Sequence, residues 1–191
     1  MKLKLDKMTN ATVTIGYEHH EIHDGDSFSC HYSNDCTNIG EMTLIAFNTP
    51  TCRHDLHLLF EASSTAGAYM AIYENSALDV GEGTALAIYN RNRNSSNASL
   101  VGSVVASPVI GQATSFNEAQ AAGANLVTTT EIYRYYLGAA AAGTDHPGNS
   151  RGDNEWILKR GTQYAFAVVS LTADDNTHNV ILHWYEHLDP L

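Results

Sequence analysis

Apolar and polar positions alternate with period two along most of this chain, the spacing of strands rather than helices. The C-terminal stretch 156–187 shows it most clearly. Within residues 162–171, Tyr164, Phe166 and Val168 share one face, and Ala165, Ala167, Val169 and Leu171 share the other. Both faces are apolar, which predicts a strand central in its sheet and covered on both sides. Within 179–186, Val180, Leu182 and Trp184 alternate with Ile181, His183 and Tyr185. The segment 173–178 between them is rich in Asp and Asn, whose side chains bond their own backbone in turns, so the pattern predicts a β-hairpin. A lone hairpin is marginally stable in water, and the rest of the chain must supply further strands.

It does so repeatedly. Phe28, Cys30 and Tyr32 alternate with serines and His31 in a half-buried strand that follows a turn at His23-Asp24-Gly25-Asp26. Residues 42–47 form an apolar run ended by Asn48-Thr49-Pro50, and 56–63 place Leu58, Phe60 and Ala62 on one face. Residues 68–73 and 84–89 read as strands flanking 74–83, a connection long enough to cross between sheets. Residues 90–97 contain no apolar side chain and predict a solvated loop. Strands follow over 100–110 and 127–137, with a helix between them over 114–125 that Gly123 stops, and with a flexible stretch 139–143 and a loop 144–154 after them. Residues 1–20 alternate weakly and carry little apolar weight, which predicts an N-terminal arm or peripheral strand ahead of a domain spanning 21–191. About eight to ten strands, without βαβ alternation or repeats, predict an all-β, jelly-roll-like two-sheet β-sandwich with an extended arm.

Composition sharpens this picture. The 191 residues suffice for one core, and with 16% charged residues and 10 tyrosines the chain favours pleated sheet over surface helix. A net charge of −11 with only 10 Lys and Arg argues against a nucleic-acid partner, because phosphate binding draws on basic side chains. A membrane partner is argued against equally. The charge is uneven: Lys2, Lys4 and Lys7 face only Asp6 in residues 1–16, whereas residues 17–90 hold eleven acids against Arg53 alone. A slightly basic arm thus leads into an acidic body, and those three lysines are the candidate partner-binding residues. Cys30, Cys36 and Cys52 are an odd count behind a start that lacks the apolar core of a secretion signal, which predicts free thiols in a reducing compartment.

No motif of the chain carries a reaction. The clusters His19-His20-x-x-His23 and His54-x-x-His57 offer imidazoles, the usual zinc and iron ligands. Residues three apart on a strand point to opposite faces, so the expectation is no metal and no cofactor. A cupin metal site resembles a His-x-His pair followed by Glu, and only His146-Pro147-Gly148 imitates a fragment of its second motif. Ser63-Ser64 lies in no nucleophile elbow, and Gly81-Glu82-Gly83 puts an acid where a phosphate cradle needs a neutral or basic group. Arg151-Gly152-Asp153 reads as a turn. The expectation is no enzyme and no catalytic residue.

Five segments carry a resemblance. They are Ile22-His23-Asp24-Gly25-Asp26-Ser27-Phe28, the loop Asn90-Arg91-Asn92-Arg93-Asn94-Ser95, and Leu158-Lys159-Arg160-Gly161-Thr162-Gln163-Tyr164 with Asn176-Thr177-His178-Asn179 and Trp184-Tyr185-Glu186-His187. Across residues 20–187 the chain resembles capsid cement, or head decoration, proteins of tailed bacteriophages. The resemblance implies a non-enzymatic virion protein made in the host cytoplasm. Such a protein sits on the capsid exterior as a homotrimer and ties copies of the major capsid protein together against internal DNA pressure. Two other classes stand beside it: a receptor-binding or fibre-tip β module, and a metal-dependent, cupin-like jelly-roll enzyme.

Overall fold

The structure is a computed structural model that describes residues 17–76, 78, 83–106, 130–138, 148–149 and 155–188. One helix, α1 (Tyr17–Asp24), precedes twelve strands among the described residues. These are β1 (Ser27–Cys36), β2 (Met42–Asn48), β3 (His54–Ser64), β4 (Ala68–Glu74), β5 (Thr84–Leu86), β6 (Tyr89–Asn90), β7 (Val104–Ala106), β8 (Thr130–Leu137), β9 (Gly148–Asn149), β10 (Trp156–Leu158), β11 (Gln163–Ser170) and β12 (Asn176–Leu188).

They form two antiparallel sheets. The first runs β10-β3-β12-β1-β6, with β9 also pairing β3, and the second runs β5-β7-β2-β11-β4-β8. From β1 the chain passes to β2 in the second sheet, back to β3, over to β4 and β8, back to β10, over to β11 and back to β12. Four strands, β10-β3-β12-β1, thus oppose four others, β2-β11-β4-β8, in the strand order of a jelly roll. Strands β5 to β7 are inserted between β4 and β8 and extend the sheet edges beside β1 and β2.

The fold class is the one the period-two pattern predicts, an all-β two-sheet sandwich. The hairpin is not. The two edges of β11 are taken by β2 and β4, and those of β12 by β3 and β1, so no edge remains on which the two could pair. The segment after Ser170 instead carries the chain from one sheet to the other. Buried polar side chains stabilise this arch. Asn176 accepts a hydrogen bond from Ala66 N at 3.0 Å and donates to Ser170 Oγ at 3.2 Å. The fully buried His178 meets Thr43 Oγ1 and Ser170 Oγ, each at 3.1 Å. Similarly, residues 84–89 do not make one strand, because β5 lies in the second sheet and β6 in the first. Residues 17–24 are helical where an arm and turn were expected, so the boundary drawn at 20/21 runs through α1. The helix predicted at 114–125 lies outside the described residues.

Between the sheets, Phe28, Phe47, Leu58, Phe60, Phe166, Leu182 and Trp184 form a closed apolar core. A second cluster, with Met42, Leu44, Ala46, Ala71, Ala165, Ala167 and Leu78, occupies the opposite face of the β2-β11-β4 sheet. The central position and two apolar faces predicted for β11 are therefore present.

Candidate functional site: the carboxylate and imidazole end of the first sheet

The core of the roll uses the inward side chains of the first sheet, so its polar chemistry gathers on the outward positions of β3 and β12 and at their shared end. Antiparallel register sets His57 opposite Tyr185, and their rings stack at 4.6 Å. His187, one diagonal further along β12, lies 4.5 Å from His57 between ring centroids. Glu155, just before β10, accepts a hydrogen bond from Tyr185 Oη at 2.5 Å and contacts His57 Nδ1. A carboxylate on Nδ1 orients an imidazole as in many general bases. Here, however, Nε2 of His57 is buried without a hydrogen-bond partner and faces no hydroxyl or thiol nucleophile among the described residues. The arrangement holds an aromatic cluster together and gives it a polar anchor.

At the end of the sheet a pocket of about 500 Å³ opens, lined among others by Glu21, Asp26, His54, Asn97, Glu186 and His187. Three elements build it. Helix α1 contributes the buried Glu21, whose carboxylate lies 3.7 Å from His20 Nδ1. The end of β12 contributes Glu186, whose carboxylate accepts hydrogen bonds from Ser99 Oγ at 2.5 Å, Leu100 N at 2.9 Å and Trp184 Nε1 at 3.0 Å. The loop that follows β6 closes the side: Asn97 donates to Asp26 Oδ1 at 3.0 Å, Asn92 to His23 O at 3.0 Å and Asn90 to Gly25 O at 2.7 Å. Gly25 has φ +85°, and a Cβ there would stand 2.3 Å from Ser95 Oγ, so the close approach of this loop to the turn after α1 requires glycine. The asparagine-rich segment is thus a wall tied down by its amides as well as a solvated loop.

Three carboxylates beside two imidazoles in a concave site favour a cationic occupant, an ammonium or guanidinium group. Among the described residues, no group of three or more His, Cys, Asp or Glu side chains converges to hold a metal ion. His54 pairs in register with Leu188 and His57 with Tyr185, which places them on opposite faces as the strand spacing requires. His19, His20 and His23 lie on a helix instead, where spacing works differently. The candidate partner residues Lys2, Lys4 and Lys7 lie outside the described residues, as do Arg151-Gly152-Asp153 and His146-Pro147.

All three cysteines are free. Burial pushes the Cys30 thiol up to about 12 and raises that of Cys36, the latter helped by the Glu41 carboxylate. Neither is a nucleophile, since the thiolate is the reactive form. Burial lowers His178 to about 4. Its neutral ring, 3.5 Å from Cys36 Sγ, belongs to the arch. Sequence reading did not single out Glu155, Tyr185 and Glu186 for the site. Glu186 carries one available signal, a carboxylate between Tyr185 and His187 in a strand whose other inward positions are largely apolar.

No family model matches the chain, and comparison with curated proteins and with solved structures returns no similar protein. No helix among the described residues is long and apolar enough to cross a membrane.

Proposed function

We propose that this chain is a non-enzymatic structural protein of a tailed-bacteriophage particle that decorates the outside of the head and stabilises it, as a homotrimer bound to the major capsid protein. The observation that carries this reading is the jelly roll whose described interior is largely apolar, so that its accessible side-chain chemistry lies on the outer face and at the end of the first sheet, where a binding module needs it. The architecture recurs in viral capsid proteins, lectins and cupins, so it enters by analogy. The charge distribution supports the same reading: an acid-lined pocket beside α1 suits basic side chains of a neighbouring subunit, and the sequence ahead of α1 is basic.

The cupin-like alternative asks for ligands directed into the roll. Inward positions of the described strands are filled chiefly by apolar side chains, burial keeps the inward Cys30 thiol protonated, and the inward His178 is occupied by two hydroxyls and a thiol. The receptor-binding alternative draws support from exposed rings. Tyr89 stacks on His31 at 6.3 Å with Arg93 5.7 Å from its ring, and Tyr135 and Tyr136 are exposed on β8. Exposed aromatic faces suit sugars.

Heat or osmotic-shock release of DNA, compared for particles carrying the full chain, a chain lacking residues 1–16, and none, tests the proposal. Full-length protein is expected to raise the release temperature, and the truncated chain to fold but decorate poorly. Particles that are equally robust without the protein yet fail to infect would replace head decoration with receptor binding. Truncated protein that protects as well as the full chain would remove the arm from the account.

A further inference from the structure

Helix α1 places His19 and His23 four residues apart on one face, the spacing at which helical side chains meet. Their ring centroids lie 4.7 Å apart with planes 23° apart, and their Nε2 atoms meet at 2.9 Å in a hydrogen bond that one ring donates to the other and that a metal ion held by both nitrogens would replace. Both residues are exposed. His20 lies aside from this pair, with its Nδ1 3.3 Å from Asp24. Two nitrogens each about 2.05 Å from one ion stand about 2.9 Å apart at a right angle and about 3.3 Å apart at the tetrahedral angle. The observed separation therefore fits two adjacent corners of a square-planar or octahedral set, the geometries of Cu(II) and Ni(II). Tetrahedral zinc asks the rings to open by about 0.4 Å.

We propose that His19 and His23 form an exposed two-imidazole chelate on α1 for a divalent late transition-metal ion, Cu(II) or Ni(II) in preference to Zn(II), with water in the remaining positions. Both imidazoles bind neutral through Nε2, and the helix backbone supplies the pre-organisation. This site is separate from the acid-lined pocket and does not depend on the proposed role in the virion.

Isothermal titration of the untagged, chelator-stripped full chain with CuCl₂, NiCl₂ and ZnCl₂ tests it. The expected result is one ion per chain, with affinity falling from Cu(II) to Ni(II) and from Cu(II) to Zn(II). His19→Ala and His23→Ala should each weaken binding by about a hundredfold, because a single imidazole loses the effective concentration of its neighbour. His20→Ala should leave binding unchanged. Should alanine disturb α1, His23→Gln removes the ligand while keeping a long polar side chain, and electron paramagnetic resonance of the wild-type Cu(II) complex reads nitrogen donors directly. Absence of binding, binding that survives in His19→Ala or His23→Gln, or a Cu(II) spectrum without two nitrogen donors overturns the proposal.

Discussion

Strands β11 and β12 are consecutive, similar in apolar content and joined by a polar turn, yet they lie in opposite sheets and in different surroundings. β11 is buried along almost its whole length on both faces, with Tyr164, Phe166 and Val168 toward the core between the sheets and Ala165, Ala167 and Val169 in the second cluster. β12 buries only one face for most of its length, with Val180, Leu182 and Trp184 inward and Asn179, Ile181 and His183 outward. The small outward residues of β11 show what a doubly covered strand needs: alanines that let another layer approach closely. The larger outward residues of β12, polar and apolar mixed, show what an accessible sheet face tolerates.

The largest expected effect breaks β11 on its outward side. Ala167→Asp places a carboxylate among Leu44, Ala71 and their neighbours, and urea denaturation should show a loss above about 4 kcal/mol or no folded protein. On the inward side, Phe166→Ala should cost about 3–5 kcal/mol through lost burial and the cavity left between the sheets. If the outward substitution proves milder than the inward one, the double coverage of β11 is wrong.

His178, at the start of β12, gives the next effect through pH. Its folded pKa of about 4 lies below the unfolded value, so the unfolded chain binds the extra proton as pH falls. Stability is therefore full above about pH 6.5, declines by about 3 kcal/mol toward pH 4, and changes no further below that on account of this group. Lys159 holds the Glu74 carboxylate low, and bonds from Asn38 and Thr37 hold Glu41 low; both lose stability in the same direction on acidification. The difference between wild type and His178→Asn, followed by denaturation from pH 8 to pH 4, isolates the histidine: the variant should be less stable at pH 8 and flatter with pH. Equal slopes would sink this account. The smallest effect closes the comparison, since Asn179→Asp on the exposed side of β12 should change stability by less than about 0.5 kcal/mol.

The positions of β1, β2, β3, β4, β8, β11 and β12 were legible because alternation is a local property of each strand. Pairing was not, because Asp and Asn serve equally well in a hairpin turn and in an arch between sheets. The signal that distinguishes them is indirect: a strand apolar on both faces and a neighbour apolar on one are poor partners for the same two layers. Helix α1 was missed because Ile22 is its one large aliphatic residue, too little to display a helical period. The candidate site was legible only in part. His54, His57 and the segments around Gly25 and Asn90 stood out by composition, whereas Glu155 and Glu186 join the site through register and loop closure.

The pairing of β12 also governs when this protein can fold. Ser27 pairs with Tyr185 and His54 with Leu188, so β12 fills the gap between β1 and β3 from far downstream of both. During synthesis β1 and β3 emerge without the strand that separates them, and each presents an unpaired edge until β12 has left the ribosome. The first sheet is thus completed only once β12 is available, with non-local pairing as the slow step. A nascent chain arrested before residue 176 should expose aggregation-prone edges however complete its second sheet is.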